Sequence, residues 1–348
     1  MKFIIAIDSL KGCLTSAEAN HAAAEGIRSL MPDADIIELP VSDGGEGWLT
    51  PFVERLGWQP VECQAHDPLN RPIRAFYATN GHCAAIEIAQ ACGLTLLSPN
   101  ERNPLVATTR GVGDIIVHAV EHGPREFIVG LGGSATSDAG MGMIDVLREK
   151  GILEKADHLR FTIATDVQNP LCGHNGAAHV FAPQKGATPA MVEQLDERAR
   201  RFAATSARLL GHDFSNTPGA GAAGGLGYAF MQYLNAQCRP GAHLLMDLLH
   251  FDQLVSDADL IITGEGRADR QTLMGKLPFA VMKGTRVPTL LLAGQVSDRH
   301  MLLNAGFQDA ICINSLDTPL DVAMQKDVAN EGIKQAIRVF LSSGADHH

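Results

Sequence analysis

Three stretches of the chain set carboxylates and cations among glycines, each just after an apolar run: Asp8-Ser9-Leu10-Lys11-Gly12, Asp43-Gly44-Gly45-Glu46-Gly47 and Gly264-Glu265-Gly266-Arg267-Ala268-Asp269. Acids beside a mobile backbone can orient a hydroxyl, take a proton or hold a divalent cation, and a neighbouring Lys11 can neutralise an anion. One such corner alone is explained as well by turn glycines and helix-capping acids. Three of them favour a shared polar rim.

A fourth stretch, Phe127 to Gly140, runs an apolar strand into Gly132-Gly133-Ser134-Ala135-Thr136 and then Asp138. Consecutive glycines ahead of a helix let backbone N–H groups converge on an anion such as phosphate, with the helix dipole in support. The spacing matches neither a Walker A loop nor GxGxxG. A plain strand-to-helix turn capped by Ser134 or Thr136 accounts for it equally well.

Single residues add to this set. Arg102 and Arg110 offer paired donors for a carboxylate or phosphate, or exposed ion pairs. Lys185, between turn formers, is placed to reach a phosphate but reads better as a solvated loop lysine. Lys276, at a helix start where a cation opposes the dipole, suits a site shared with an anion. Asp166 closes a strand and can serve as general base, magnesium ligand or Asx-turn residue. Glu87 lies inside the apolar run AAIEIA, so it contacts substrate, orients an arginine or sits in a buried ion pair.

Parallel strands and their helices would bring such residues together. KFIIAID, a helical stretch over residues 15–31 with Thr15 or Ser16 as N-cap, and DADIIELP form a β-α-β unit. The same alternation returns in DLIITGE, PTLLLAG and DAICINS, with a final helix expected over 319–341. Two early and three late strands predict a doubly wound parallel sheet in order 2-1-3-4-5, split by an insertion. The expected division is residues 1–44 plus 241–348 as the sheet domain and 45–240 as an inserted mixed α/β domain, with the active site in the cleft between them. The insertion should hold helices at 46–56, 109–122, 141–150, 189–211 and 221–235. Its strands should include 126–131 and 161–167.

The 348 residues can bury a substantial core, and 39 acids against 28 bases argue against nucleic acid or anionic membrane as partners. Seven scattered cysteines, nowhere in CxxC spacing, suit neither a zinc site nor a disulfide scaffold and point to a reducing cytoplasm. No stretch approaches the roughly 18 apolar residues of a membrane span. The terminal His347-His348 pair is given no role.

The motifs AIDSLKG, PVSDGGEG, GLGGSATSDAGMGM, FAPQKGATP, GAGAAGGLG and LIITGEGRADRQTLMGK together resemble the bacterial class I glycerate kinases over nearly the whole chain. The resemblance implies a flavodoxin-like domain carrying an inserted α/β domain. It also implies ATP-dependent phosphorylation of D-glycerate to 2-phosphoglycerate, rather than 3-phosphoglycerate, with Mg2+ accompanying the nucleotide. In that frame Arg110, Arg102, Asp8 and Glu87 face the substrate, Asp166 is preferred over Asp43 as base, and Lys11 neutralises charge. Gly132, Gly133, Ser134, Thr136, Gly264, Glu265, Gly266 and Lys276 face the nucleotide and its phosphates, with Asp166 and Asp269 as metal ligands. The first motif lacks the family's usual proline before the aspartate and aromatic residue before the lysine, and the Gly-rich excursion after Met143 is shortened. Kinase action on another small hydroxy acid, a non-catalytic phosphometabolite binder, and a homodimer all stay open.

Overall fold

A computed structural model describes Met1–Ser315 and Asp317–Gly344; His347 and His348 lie outside the described residues. The chain splits into two compact units, Met1–Asp43 with Ala242–His348, and Gly44–Gly241. In chain order the strands are β1 (Lys2–Ile7), β2 (Asp35–Glu38), β3 (Gln59–His66), β4 (Pro72–Thr79), β5 (Cys83–Glu87), β6 (Glu126–Gly130), β7 (Arg160–Ala164), β8 (Gln237–Arg239), β9 (Leu260–Ala268), β10 (Thr289–Val296) and β11 (Asp309–Cys312).

In the discontinuous unit the sheet order is β11-β10-β9-β1-β2, and every pair is parallel. This is the doubly wound order expected from the strand runs, and its direction reverses between β1 and β9, where ligands bind in such sheets. Phe3, Ile5 and Ile7 pack on one face against Ile27, Ile333 and Ile337, while Leu291 and Ala293 pack on the other against Met282, Leu302 and Phe307. The helix Ser16–Arg28 starts at Thr15, whose hydroxyl and Glu18 form the reciprocal capping box.

Two expectations for this unit need correction. The acidic Gly-rich stretch after the third strand is itself strand: β9 continues to Ala268, because β10 runs beside it as far as Gln295↔Arg267 and Val296↔Ala268. The final helix is two helices, Leu320–Ala323 and Lys326–Gly344.

The inserted unit holds a six-stranded sheet, β3-β4-β5-β6-β7-β8, antiparallel through β3-β4-β5 and parallel from β5 onward. Its core centres on stacked Phe127 and Phe161, 4.5 Å between ring centroids, with Phe230 beside them. The helices Arg110–Glu121, Met141–Glu149 and Pro189–Leu210 fall where apolar periodicity places them. The helix expected over 46–56 is only Thr50–Glu54. Gly44 and Gly47 take φ of +102° and +80°, which a helix does not accommodate, and the segment before it is a run of turns. The helix Ala222–Leu234 is kinked at Ala223, Gly224 and Gly225, all left-handed.

Gly264 shows how tightly the first sheet is built. A Cβ there would lie 2.4 Å from the carbonyl oxygen of Leu292 on β10, a contact only backbone movement can relieve. Gly264→Ala is expected to destabilise this unit by about 1–3 kcal/mol, read from the denaturant midpoint of its own transition. An unchanged midpoint would show that β9 and β10 can separate at little cost.

Candidate functional site

At the carboxyl ends of β1, β9, β10 and β11 the first unit carries a cleft of about 440 Å³, bordered by Asp8, Lys11, Asp43, Glu265, Arg267 and Lys276 among others. The first acidic corner and the third meet here, joined by Asp43 from the second. Each acid is held differently. Asp8 accepts the backbone N–H of Ser9 at 2.7 Å, and burial, with Asp43 next in effect, pushes its carboxyl up to about 8. Glu265 is 6% exposed; its two oxygens take the Thr272 hydroxyl at 2.5 Å and Lys276 Nζ at 2.9 Å. Burial still raises it above the usual carboxylate range.

Lys276 therefore stands at the N-cap of the helix Leu277–Lys283 because Glu265 supplies the anion that its position demands. Lys11 is exposed and makes no ion pair among the described residues. Asp269 is committed to its own turn, accepting the Gln271 N–H at 2.8 Å and pairing with Arg267 at 3.2 Å.

In the inserted unit the glycine loop after β6 is built for close approach. A Cβ on Gly132 would stand 2.2 Å from the Cα of Gly45, and the Gly132 N–H donates to the Gly44 carbonyl at 2.8 Å. Gly133 has φ of +74°. The helix of this motif begins only at Met141, after Gly140, so Gly132–Thr136 do not sit at a helix N-terminus as expected. The dipole argument fails for them, and what supports an anion is the backbone itself. Among the described residues the N–H groups of Gly133, Ser134 and Thr136 donate to no acceptor, while the carbonyls of Gly133 and Thr136 are both occupied, by Leu94 N–H and by Lys185.

Lys185 is the largest departure from the reading as a solvated loop residue. It is 3% exposed, and its Nζ donates to Ser134 Oγ at 2.9 Å and to the Thr136 carbonyl at 2.6 Å. Burial lowers its ammonium to about 8. Asp138 is a further residue whose role the sequence did not disclose. Its carboxylate takes the Thr109 N–H and hydroxyl, both at 2.9 Å, and the N–H groups of Gly140 and Gly142, which ties the starts of two helices behind the loop. An acid two residues before a glycine at a helix start was the available signal.

Glu87, at the end of β5, has neither an arginine nor a lysine partner among the described residues. It accepts the N–H groups of Gly47 and Leu49 at 3.3 and 3.4 Å and so fixes the turn that carries Gly44–Gly47. Burial pushes its carboxyl up to about 7 against the pull of those amides. Arg110 pairs with Glu149 at 3.5 Å on the surface. Arg102 has a buried Nε with no hydrogen-bond partner among the described residues. Asp166 is exposed, two residues beyond the end of β7.

Among the described residues no group of three or more His, Cys, Asp or Glu side chains is placed to hold a metal ion unaided. A cation carried by substrate phosphates needs only one or two carboxylates. Asp8 and Asp43 both border the cleft, where the charge of Asp43 helps raise Asp8, and so offer carboxylates to such a cation; Asp269 already carries one partner on each oxygen.

The sequence profile described as the glycerate kinase family matches residues 3–158 and 145–341. The chain belongs to the glycerate kinase family. It is 39% identical to a glycerate kinase of Bacillus subtilis over 98% of this chain and all of that protein, and 36% identical to the glycerate 2-kinase of Escherichia coli over 86% of each. The crystal structure of a candidate glycerate kinase 2 from Salmonella typhimurium LT2 superposes with a TM-score of 0.80 at 35% identity, covering 99% of both chains. No helix of the described residues is long and apolar enough to cross a membrane.

The raised carboxyls make stability depend on pH. A group whose folded pKa exceeds its unfolded value stabilises fully below the unfolded value and loses that contribution as pH rises through the folded one. Asp8 (3.8 to about 8) and Glu87 (4.5 to about 7) both act in this direction. Thermal midpoints should fall between pH 5 and 8, and Asp8→Asn should flatten the fall in the first unit. Midpoints that climb over this range in the wild type would mean that these acids are ionised and compensated.

Proposed function

We propose that the protein is an ATP-dependent glycerate kinase that phosphorylates D-glycerate to 2-phosphoglycerate, with Mg2+ accompanying the nucleotide. The observation that carries this reading is the meeting of Asp8, Asp43 and Glu265 with Lys11, Arg267 and Lys276 in one cleft of a family member. Phosphoryl transfer asks the protein for in-line placement and charge neutralisation rather than covalent work, and that mixture of charges suits both. The name of the Escherichia coli relative favours the 2-phosphate over the 3-phosphate.

Mg2+, where bound, would supply charge neutralisation at the phosphates, with Asp8 and Asp43 the suited carboxylates of the first unit. Lys11 neutralises phosphate charge. The open N–H groups of Gly133, Ser134 and Thr136 receive anionic oxygens, acting in the manner of an oxyanion cradle. Arg102, with its unsatisfied Nε, is better suited than the surface-paired Arg110 to bind the glycerate carboxylate. Asp166 orients the reacting hydroxyl and takes its proton.

ADP release should depend on D-glycerate and Mg2+, and phosphorus NMR of the product should show the 2-phosphate. A flat trace with ligand-induced thermal stabilisation would turn the reading to a phosphometabolite binder. Asp166→Asn should lower kcat about 100-fold or more with the circular dichroism melt unchanged; near-normal turnover would pass the base role to Asp43. Lys185→Met should raise KM for an anionic substrate about tenfold or more, the loop losing two anchors, whereas wild-type constants would mean that the loop holds its shape without the lysine.

A further inference from the structure

The cleft of the first unit is larger than its charged rim requires. Besides the acids and lysines it is lined by Leu10, Cys13, Ile313, Leu320, Ala323 and Met324, an apolar end that charge neutralisation does not use. Its volume of about 440 Å³ falls in the range of sites that enclose a drug-sized ligand. A three-carbon acid would leave most of it to water.

The apolar end is exposed in an unusual way. Leu320 and Met324, from the helix Leu320–Ala323 and the residue after it, are 75% and 41% exposed, yet both face this cleft. Gly266 also lines it, within β9, and among the described residues no atom lies within 4 Å of where its Cβ would stand. A strand glycine costs about 0.5–1 kcal/mol relative to alanine, and the packing of this chain does not ask for it. A flat ligand lying on the strand would.

Ser9, Gln295 and Asn314 are the uncharged polar side chains of the lining, and Asn314 follows directly on Ile313 at the apolar end. The Asn314 amide donates to the Gly294 carbonyl at 2.7 Å. A carbonyl can only accept, so the amide's NH2 faces Gly294 and its oxygen keeps its acceptor capacity. An acceptor beside an apolar slot selects a ring that carries an amino group.

We propose that this cleft seats the adenine nucleoside of ATP, the base against Leu10, Ile313, Leu320 and Met324 with its 6-amino group donating to Asn314, and the phosphates toward Lys11, Arg267 and Lys276. The inference rests on the kinase reading for its choice of nucleotide. It accounts for the apolar end, the exposed leucine and the bare strand glycine together. Guanine would set its carbonyl oxygen against that of Asn314, so ATP is selected over GTP.

Binding of a ribose-labelled fluorescent ADP tests this apart from catalysis. Leu320→Ala, a truncation at a largely exposed position, should weaken labelled-ADP binding and raise KM for ATP about tenfold, with KM for D-glycerate within twofold; Met324→Trp, which fills the slot, should do so more strongly. KM for GTP should exceed that for ATP about tenfold or more. Wild-type affinity for labelled ADP in both variants, or equal use of ATP and GTP, overturns the assignment even with glycerate-dependent turnover intact. A wild type that binds labelled ADP with the predicted losses in the variants but never turns over glycerate upholds the pocket and removes the kinase reading instead.

Discussion

A lysine without a carboxylate partner holds the glycine loop of the inserted unit in shape. Taking an ammonium out of water is costly, and Lys185 recovers that cost only through a hydroxyl and a carbonyl, with Cys92 and Asp138 contributing at longer range. Those two bonds decide which way the loop faces. The Thr136 carbonyl is engaged by Nζ, and the Gly133 carbonyl and Ala135 N–H by Leu94 and Cys92, which leaves the N–H groups of Gly133, Ser134 and Thr136 without an acceptor among the described residues. An anion at this loop would meet unsatisfied backbone N–H groups with a buried ammonium nearby, since the helix starts only at Met141.

The first unit solves a different problem, that of keeping carboxyls together. Asp8, Asp43 and Glu265 border one cleft. Glu265 is anchored by Thr272 and Lys276, so its charge is partly met within the protein, whereas Asp8 has one backbone donor and a repelling neighbour. Burial and like charge both favour its protonated form. The cleft thus tolerates three neighbouring acids by pairing one with a lysine and holding another protonated.

Much of the first unit could be read from sequence because parallel strands buried on both faces leave continuous β-branched runs, and short βα loops keep them in recognisable order. The strand order and the capping box at Thr15 follow from such local signals. What local signals miss is where a loop is covered. Lys185 sits between turn formers, Pro183 and Gly186, which ordinarily mark exposure, yet the chain folds over it and the side chain ends beneath a loop about 50 positions earlier. Glu87 was recognisable as a buried charge, but its partners are backbone amides of Gly47 and Leu49, and amides carry no residue signature. The Gly264–Ala268 stretch reads as a corner because glycine, acid and arginine dominate it; the pairing with β10 that makes it strand is non-local.

The motif glycines show why residue type alone cannot divide structural from functional demand. Gly132 and Gly264 are required by neighbouring backbone at 2.2 and 2.4 Å, so any larger residue would fail there whether or not a ligand binds. Gly266 meets no such neighbour, and its strand would be firmer with alanine. All three read alike in a sequence, as glycines after an apolar run. Only the distance to the nearest atom separates a glycine that the fold consumes from one that it leaves open, and the second kind is where a demand from outside the chain becomes visible.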